Sequence, residues 1–235
     1  MPDFVKLILM LIGAYFFGSI PAAYLAAKWT KGIDLRKTGS GNVGFTNLAV
    51  NTSKWVAIPV LIFDVGKGAL VVCVAKWLGL SLPLQGLVGI MAIIGHNWSI
   101  FLGFNAGRGL LTTIGVAIAL LPKLSAALII LTLFGIPFHV LSTTAFLAII
   151  VAAICVWVSY LPVLNWLTGN LGGDRLVMGL IFLCLWLLTA VRRITAPGTP
   201  LSDTVSQVQL ILNRLFLDRD IRDRKAWLQR TAVKK

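Results

Sequence analysis

The chain has 235 residues, 58% of them hydrophobic and only 12% charged, with 21 Lys and Arg against eight acids and a formal net charge of +13. Soluble domains carry about 25% charged residues, so this composition excludes an ordinary soluble fold and predicts an all-α integral membrane protein. Continuous rather than alternating apolar runs exclude a β-barrel. The basic residues gather at the ends of those runs, so no nucleic-acid partner is expected.

Seven apolar segments are predicted, at 5–27, 55–78, 84–102, 110–121, 124–141, 144–164 and 176–191. Several approach the ~20 residues that cross a bilayer core. The first is a retained transmembrane helix rather than a signal peptide, because no small-residue cleavage site follows it. It contains Gly18-Ser19-Ile20-Pro21, where proline removes a backbone donor and kinks the helix. Next comes Asp34-Leu35-Arg36-Lys37, then the loop Thr38-Gly39-Ser40-Gly41-Asn42-Val43-Gly44-Phe45-Thr46-Asn47. Glycines let a backbone turn its N–H groups toward one point, and a helix start just beyond adds a positive dipole end. Such a nest suits a phosphate oxyanion. Arg36 adds a planar fork, and Thr38 and Ser40 add hydroxyls.

Asp64 and Lys67 stand at i, i+3 in the second segment, on one helix face. They form a mutual ion pair, or Lys67 leans toward a bound anion. A second glycine loop runs from Gly95-His96-Asn97-Trp98 to Gly103-Phe104-Asn105-Ala106-Gly107-Arg108-Gly109. A cation at a helix start, as at Arg108, is disfavoured unless an anion accompanies it; anchoring the chain at the membrane surface is the alternative. His96 is either an acid–base group or a structural hydrogen-bonding histidine. The fourth segment reaches only ~18 Å at 1.5 Å per residue. With the fifth, beyond Pro122, it forms a hairpin or a re-entrant pair. His139, Ser142 and Thr143 read as a solvated helix end.

Residues 1–192 form the membrane domain and 193–235 a basic tail, with ten of the 21 Lys and Arg in the last 44 residues. Thr195-Ala196-Pro197-Gly198-Thr199-Pro200 is a linker. Over 204–217, Val205, Val208, Ile211, Leu212, Leu215 and Phe216 recur at helical spacing, which suits an amphipathic helix on the inner leaflet. With seven crossings the tail and both glycine loops share the cytoplasmic side, and the positive charge agrees. The sequence has no glutamate, and Cys73, Cys155 and Cys184 lie in apolar runs without metal-ligand spacing, so they read as buried small hydrophobes.

Gly18-Ser-Ile-Pro21, the run from Asp34 to Asn47, Phe63-Asp-Val-Gly-Lys-Gly-Ala69, Gly95-His96, Phe101-Leu-Gly-Phe104 and Gly107-Arg-Gly109 resemble, in order and spacing, the bacterial acyl-phosphate-dependent glycerol-3-phosphate acyltransferases of the PlsY type. The resemblance spans roughly 10–190. It implies a seven-helix fold in the bacterial inner membrane with its active site at the cytoplasmic face. It implies acyl phosphate and glycerol 3-phosphate as substrates among membrane lipids, and lysophosphatidic acid and phosphate as products. It implies that the transfer step needs no metal and no cofactor. A monomer is expected. Four departures stand out. Asn105 and Arg108 occupy positions where the family has Lys, and Ala106 one where it has Gly. The family's third motif, a His-Arg pair, an Asn and a Gly-x-Glu after the last helix, is replaced by Val191-Arg-Arg-Ile-Thr-Ala196, in which Arg192 and Arg193 substitute in part.

The candidate catalytic groups are Ser40, Asn47 and His96. The candidate phosphate-binding set is Arg36, Thr38, Gly39, Gly41, Asn42, Thr46, Lys67, Gly107, Arg108 and Gly109. A related enzyme with another acceptor, an anionic-lipid-binding protein and a transporter are the competing readings. A transporter places its site near the bilayer midplane, with broken helices around it.

Overall fold

The computed structural model describes residues 2–135, 141–197, 202–223 and 226–227. Among these, regular structure is entirely helical. Helix α1 (Asp3–Ser19) gives way at Ile20-Pro21 to α2 (Ala22–Lys31). Beyond the first glycine loop come α3 (Phe45–Asn51), α4 (Lys54–Trp77) and α5 (Leu82–Asn97). After the second loop follow α6 (Leu110–Leu120), α7 (Pro122–Leu133), α8 (Leu141–Trp157), α9 (Pro162–Thr168), α10 (Arg175–Ile194) and, in the tail, α11 (Gln207–Leu212).

Each of the seven predicted apolar segments contains helix, but they are unequal. Four stretches are long and apolar enough to cross a membrane, and a fifth arises if α8 and α9, bent by 115°, count as one. The predicted segment 144–164 is therefore broken, where Pro162 starts a new helix in a different direction. α6 and α7, with 11 and 12 residues, are too short to cross ~30 Å of hydrocarbon singly. His139 lies outside the described residues.

Exposed tryptophans mark both ends of the longest helix. Trp55 and Trp77 lie on α4, 22 residues and ~33 Å apart, a bilayer thickness. Tryptophan prefers the membrane–water boundary. Between them Ile62 and Leu70 point outward, as lipid-facing residues do.

Lipid gives helices no hydrophobic reason to associate, so close backbone approach between small residues supplies the packing. Two reciprocal glycine pairs do this. A Cβ on Gly18 of α1 would strike the Ala92 carbonyl of α5, and one on Gly95 of α5 would strike the Tyr15 carbonyl of α1. Likewise Gly68 of α4 abuts the Thr112 carbonyl of α6, and Gly115 of α6 abuts the Val65 carbonyl of α4. Val72, Val88, Ala92, Ile93, Val116 and Phe182 fill the core that these contacts close.

The break in α1 matters for the site. Pro21 cannot donate a backbone hydrogen bond, and the two carbonyls just before it find partners across the fold. Ser99 Oγ donates to the Ser19 carbonyl at 2.6 Å, and Lys67 Nζ donates to the Ile20 carbonyl at 3.3 Å. A sequence-local kink thereby ties α4 and the chain after α5 to one point.

The glycine contacts predict a sharp contrast. Gly115→Val should destabilise the purified protein by ~1–3 kcal/mol through overpacking. Gly66→Ala, where an added methyl meets nothing within 4 Å, should leave thermal denaturation in detergent unchanged or slightly improved. Equal melting temperatures for Gly115→Val and the parent would contradict the packing scheme.

Candidate active site

The first glycine loop is organised by Asn47. Its Nδ2 donates to the carbonyls of Leu35, Thr38 and Asn42 at 2.9–3.1 Å, and its Oδ1 accepts from the Ser40 N–H at 3.0 Å and from Asn51 Nδ2 at 2.9 Å. Gly39 has φ +54°, and a Cβ there would run into the Asn47 and Asn51 side chains. The Gly41 N–H bonds the Thr38 carbonyl, and the Asn42 N–H bonds Ser40 Oγ. Three consecutive N–H groups of the expected nest are thus satisfied within the loop. Asn47, expected to be catalytic, is a staple with both polar atoms engaged. Thr38 Oγ1 donates to the Asp34 carbonyl, and Thr46 lies on the first turn of α3.

Arg36 turns to Asp34, with Nε and Nη2 donating to the carboxylate at 3.0 and 2.7 Å, and it stacks over the Tyr24 ring at 5.2 Å. The hydrogen bond from Arg36 holds the Asp34 carboxyl below its usual range.

The second loop folds back over the end of α5. The Gly107 N–H bonds the His96 carbonyl and the Ala106 N–H bonds the Asn97 carbonyl. A Cβ on Gly107 would overlap the His96 ring, and Gly109 has φ +72° beside Asn97. Glycine is needed here for close approach, and the Gly107 N–H is not a free anion donor. The N–H groups of Ser40, Gly41, Asn42, Ala106 and Gly107 are thus taken up within the loops.

Side chains converge from several elements. Asp64 lies 2.8 Å from Lys67 Nζ and 3.6 Å from His96 Nδ1, all three side chains being nearly or fully buried. Lys67, expected on a substrate phosphate, is engaged by Asp64 and the Ile20 carbonyl. Asp64 thus faces Nδ1 of His96, beyond hydrogen-bond distance, while the ring's Nε2 lies against Gly107. Asp64 and His96 line a cleft with Ser19, Ile20, Pro21, Val43, Ala106 and Gly107. The broken first helix, the first loop and the second loop thus meet at one place. Val43, Leu35, Leu102 and Ala106 share one apolar cluster beneath them. Ser19 Oγ is buried with no hydrogen-bond partner among the described residues.

Two arginines at the end of α10 close the far side. Arg192 Nε donates to the Gly107 carbonyl at 3.0 Å, and its Nη2 donates to the Ala106 carbonyl at 3.0 Å and to Asn105 Oδ1 at 2.7 Å. The neutral Asn105 is thereby explained, since a lysine there would face the Arg192 guanidinium. Arg193 donates to the carbonyls of Ser142 and Leu215 at 2.6 and 2.7 Å and stacks on Phe146 at 4.3 Å. Arg108 pairs with Asp218 of the tail. Burial pushes the Asp218 carboxyl up, but the charges of Arg108 and Arg193 outweigh it and hold the group below its ordinary value. Arg214 anchors the same segment, through Asp220 at 2.8 Å and the carbonyls of Ile194 and Ala196.

Sequence reasoning missed the Asp64–His96 contact, the place of Ser19 in the cleft and the inward docking of the tail. One signal was present: Asp64 is the only carboxylate inside an apolar segment that also carries a lysine. The sequence placed the third-motif substitute at 191–196. The structure adds Asn213, Asp218 and Asp220, which lie beyond the linker and come back to it. Asn213 Nδ2 donates to the Asp220 carbonyl at 2.9 Å. No cluster of metal-ligating side chains occurs among the described residues.

Residues 8–196 match the family described as glycerol-3-phosphate acyltransferase. The chain is 40% identical over 228 residues to glycerol-3-phosphate acyltransferase 4 of Dehalococcoides mccartyi (strain CBDB1), covering 96% of this chain and 94% of that one. It is 47% identical over 115 residues to the glycerol-3-phosphate acyltransferase of Thermus thermophilus, covering 49% and 57% of the two chains. The glycerol 3-phosphate form of the crystal structure of PlsY (YgiH), an integral membrane glycerol 3-phosphate acyltransferase, superposes with a TM-score of 0.69 at 27% identity, over 80% of this chain and 88% of that one. The lysophosphatidic acid form gives 0.65 over the same shares. Family match, near-full-length relative and shared membrane fold agree: the chain belongs to the glycerol-3-phosphate acyltransferase family and is an integral membrane acyltransferase.

Proposed function

We propose that the protein transfers a fatty acyl group from acyl phosphate to the 1-hydroxyl of glycerol 3-phosphate, releasing lysophosphatidic acid and inorganic phosphate. The observation that carries this reading is the cleft where the two glycine loops and the broken first helix meet, with His96 and Asp64 facing each other on its wall and arginines behind it. The related crystal structures in glycerol 3-phosphate and lysophosphatidic acid forms support the acceptor and product classes. The donor follows from the motif resemblance.

In this scheme the acceptor hydroxyl oxygen attacks the acyl carbonyl carbon. A carbon–oxygen bond forms, the carbon–oxygen bond to the phosphoryl group breaks, and phosphate leaves with the electron pair. The hydroxyl proton passes to His96 Nε2, while the Asp64 carboxylate facing Nδ1 stabilises the cation that forms. Arg108 and Arg192 supply positive charge where the leaving phosphate gains negative charge. Ser40 sits on the rigid loop that Asn47 fixes and is available to orient the acceptor. The acyl chain lies between helices, toward lipid. The active face and the basic tail are cytoplasmic, in the inner membrane of a bacterium, and the exposed Val208, Ile211, Leu212 and Phe216 of the tail rest on that leaflet.

Purified protein given acyl phosphate and glycerol 3-phosphate should release phosphate and form lysophosphatidic acid. Turnover with an acyl thioester but none with acyl phosphate would overturn the donor assignment. His96→Gln should lower kcat by ~10²-fold or more if the ring takes the proton; a loss under roughly ten-fold would move that role to a substrate phosphate. Single cysteines placed at Thr46 and Val208 should be labelled by a membrane-impermeant reagent only in inside-out vesicles. Labelling of the two from opposite sides would defeat the proposed topology.

A further inference from the structure

Outside the cleft, one carboxylate is held by more cationic and hydroxyl donors than any other in the tail's contact with the membrane domain. Arg108 Nη1 donates to Asp218 Oδ1 and, at 2.7 Å, to the Asp218 carbonyl. Ser142 Oγ donates to Asp218 Oδ2 at 2.9 Å, and Arg193 Nε lies 3.7 Å from Oδ1. The Arg108 and Arg193 side chains are only 12% and 2% exposed. Two guanidinium groups and a hydroxyl converging on one point are the donor set of a phosphate site. Here a side chain of the same protein, 110 residues further along, fills it.

Two features make this contact exchangeable. Arg108 reaches Asp218 through Nη1 alone rather than through its two-pronged fork. Asp218 in turn keeps Ser142 and Arg193 when Arg108 departs, so its charge is never left unpaired. The neighbouring charges fit the same account. Arg192 is committed to the second loop, Arg193 to the carbonyls of Ser142 and Leu215, and Arg214 to Asp220, so of these four arginines Arg108 is the one able to change partner. Asp218 also sits at φ +61°, a conformation natural to glycine.

We propose that Asp218 is a built-in counter-anion for Arg108 which the phosphate of a substrate displaces, so that the tail sets the affinity of the site for phosphate. This rests on the proposed function only in taking Arg108 to face a phosphorylated substrate. The carboxylate compensates a largely buried cation when no phosphate is present, and competes with phosphate when it is.

The test is inorganic phosphate binding, measured by calorimetry on the full-length protein in detergent. Asp218→Asn, which keeps the shape, and Asp218→Gly, which suits the backbone, should each bind phosphate about ten-fold more tightly than the parent, the scale of one charge-assisted contact. KM for glycerol 3-phosphate should fall in parallel. In an Arg108→Ala background the same substitutions should change nothing. The unaltered protein offers an independent measurement: saturating phosphate, against chloride at equal ionic strength, should speed tryptic cleavage at Arg219 and Arg222. Unchanged or weaker phosphate binding in both variants, or cleavage indifferent to phosphate, would make Asp218 a fixed structural partner and end the proposal. Tighter phosphate binding without any acyl transfer would leave the exchange standing and refute the proposed function instead.

Discussion

A proline at position 21 breaks the first helix inside an apolar protein, and the site is assembled around the two backbone carbonyls just before it. An unpaired buried carbonyl costs on the order of 1–3 kcal/mol. Ser99 and Lys67 meet the carbonyls of Ser19 and Ile20, but a buried ammonium needs a counter-charge, and Asp64 provides it one helical turn away. Removing Asp64 would leave Lys67 uncompensated at a cost of ~3–5 kcal/mol. Asp64 also faces His96. Each polar group is thus present because the previous one needed it, and the last in the series is the group with acid–base chemistry.

Much of this could be read from residue types and spacing. The apolar runs pointed to helices, Gly18-Ser-Ile-Pro21 to the break, and Asp64 with Lys67 to an ion pair on one face. What sequence could not show was distance across the fold. His96 is 32 positions from Asp64, and Asp218 is 110 positions from Arg108. Local pattern carries no information on such pairs. The shortness of α6 was legible, but apolar composition did not reveal where Pro162 redirects a helix.

The glycine loops teach a narrower lesson. Alternating glycines are compatible with a nest that presents N–H groups outward and with a loop that consumes them inward. The deciding residues are side chains that compete for the same donors and acceptors. Asn47 takes up the first loop, and Arg192 takes up the carbonyls of the second. Glycine at 107 lets the loop lie against the His96 ring.

The pairing of Asn105 with Arg192 has a consequence for protein engineering. The two residues come from elements 87 positions apart, yet the amide oxygen is the acceptor that lets a buried guanidinium sit against the loop. A loop grafted from a relative with lysine at this place would bring two cations together beneath the cleft. The loop and the end of α10 therefore form a single transplantable module, and chimeras cut between them would inherit a charge clash that neither parent contains.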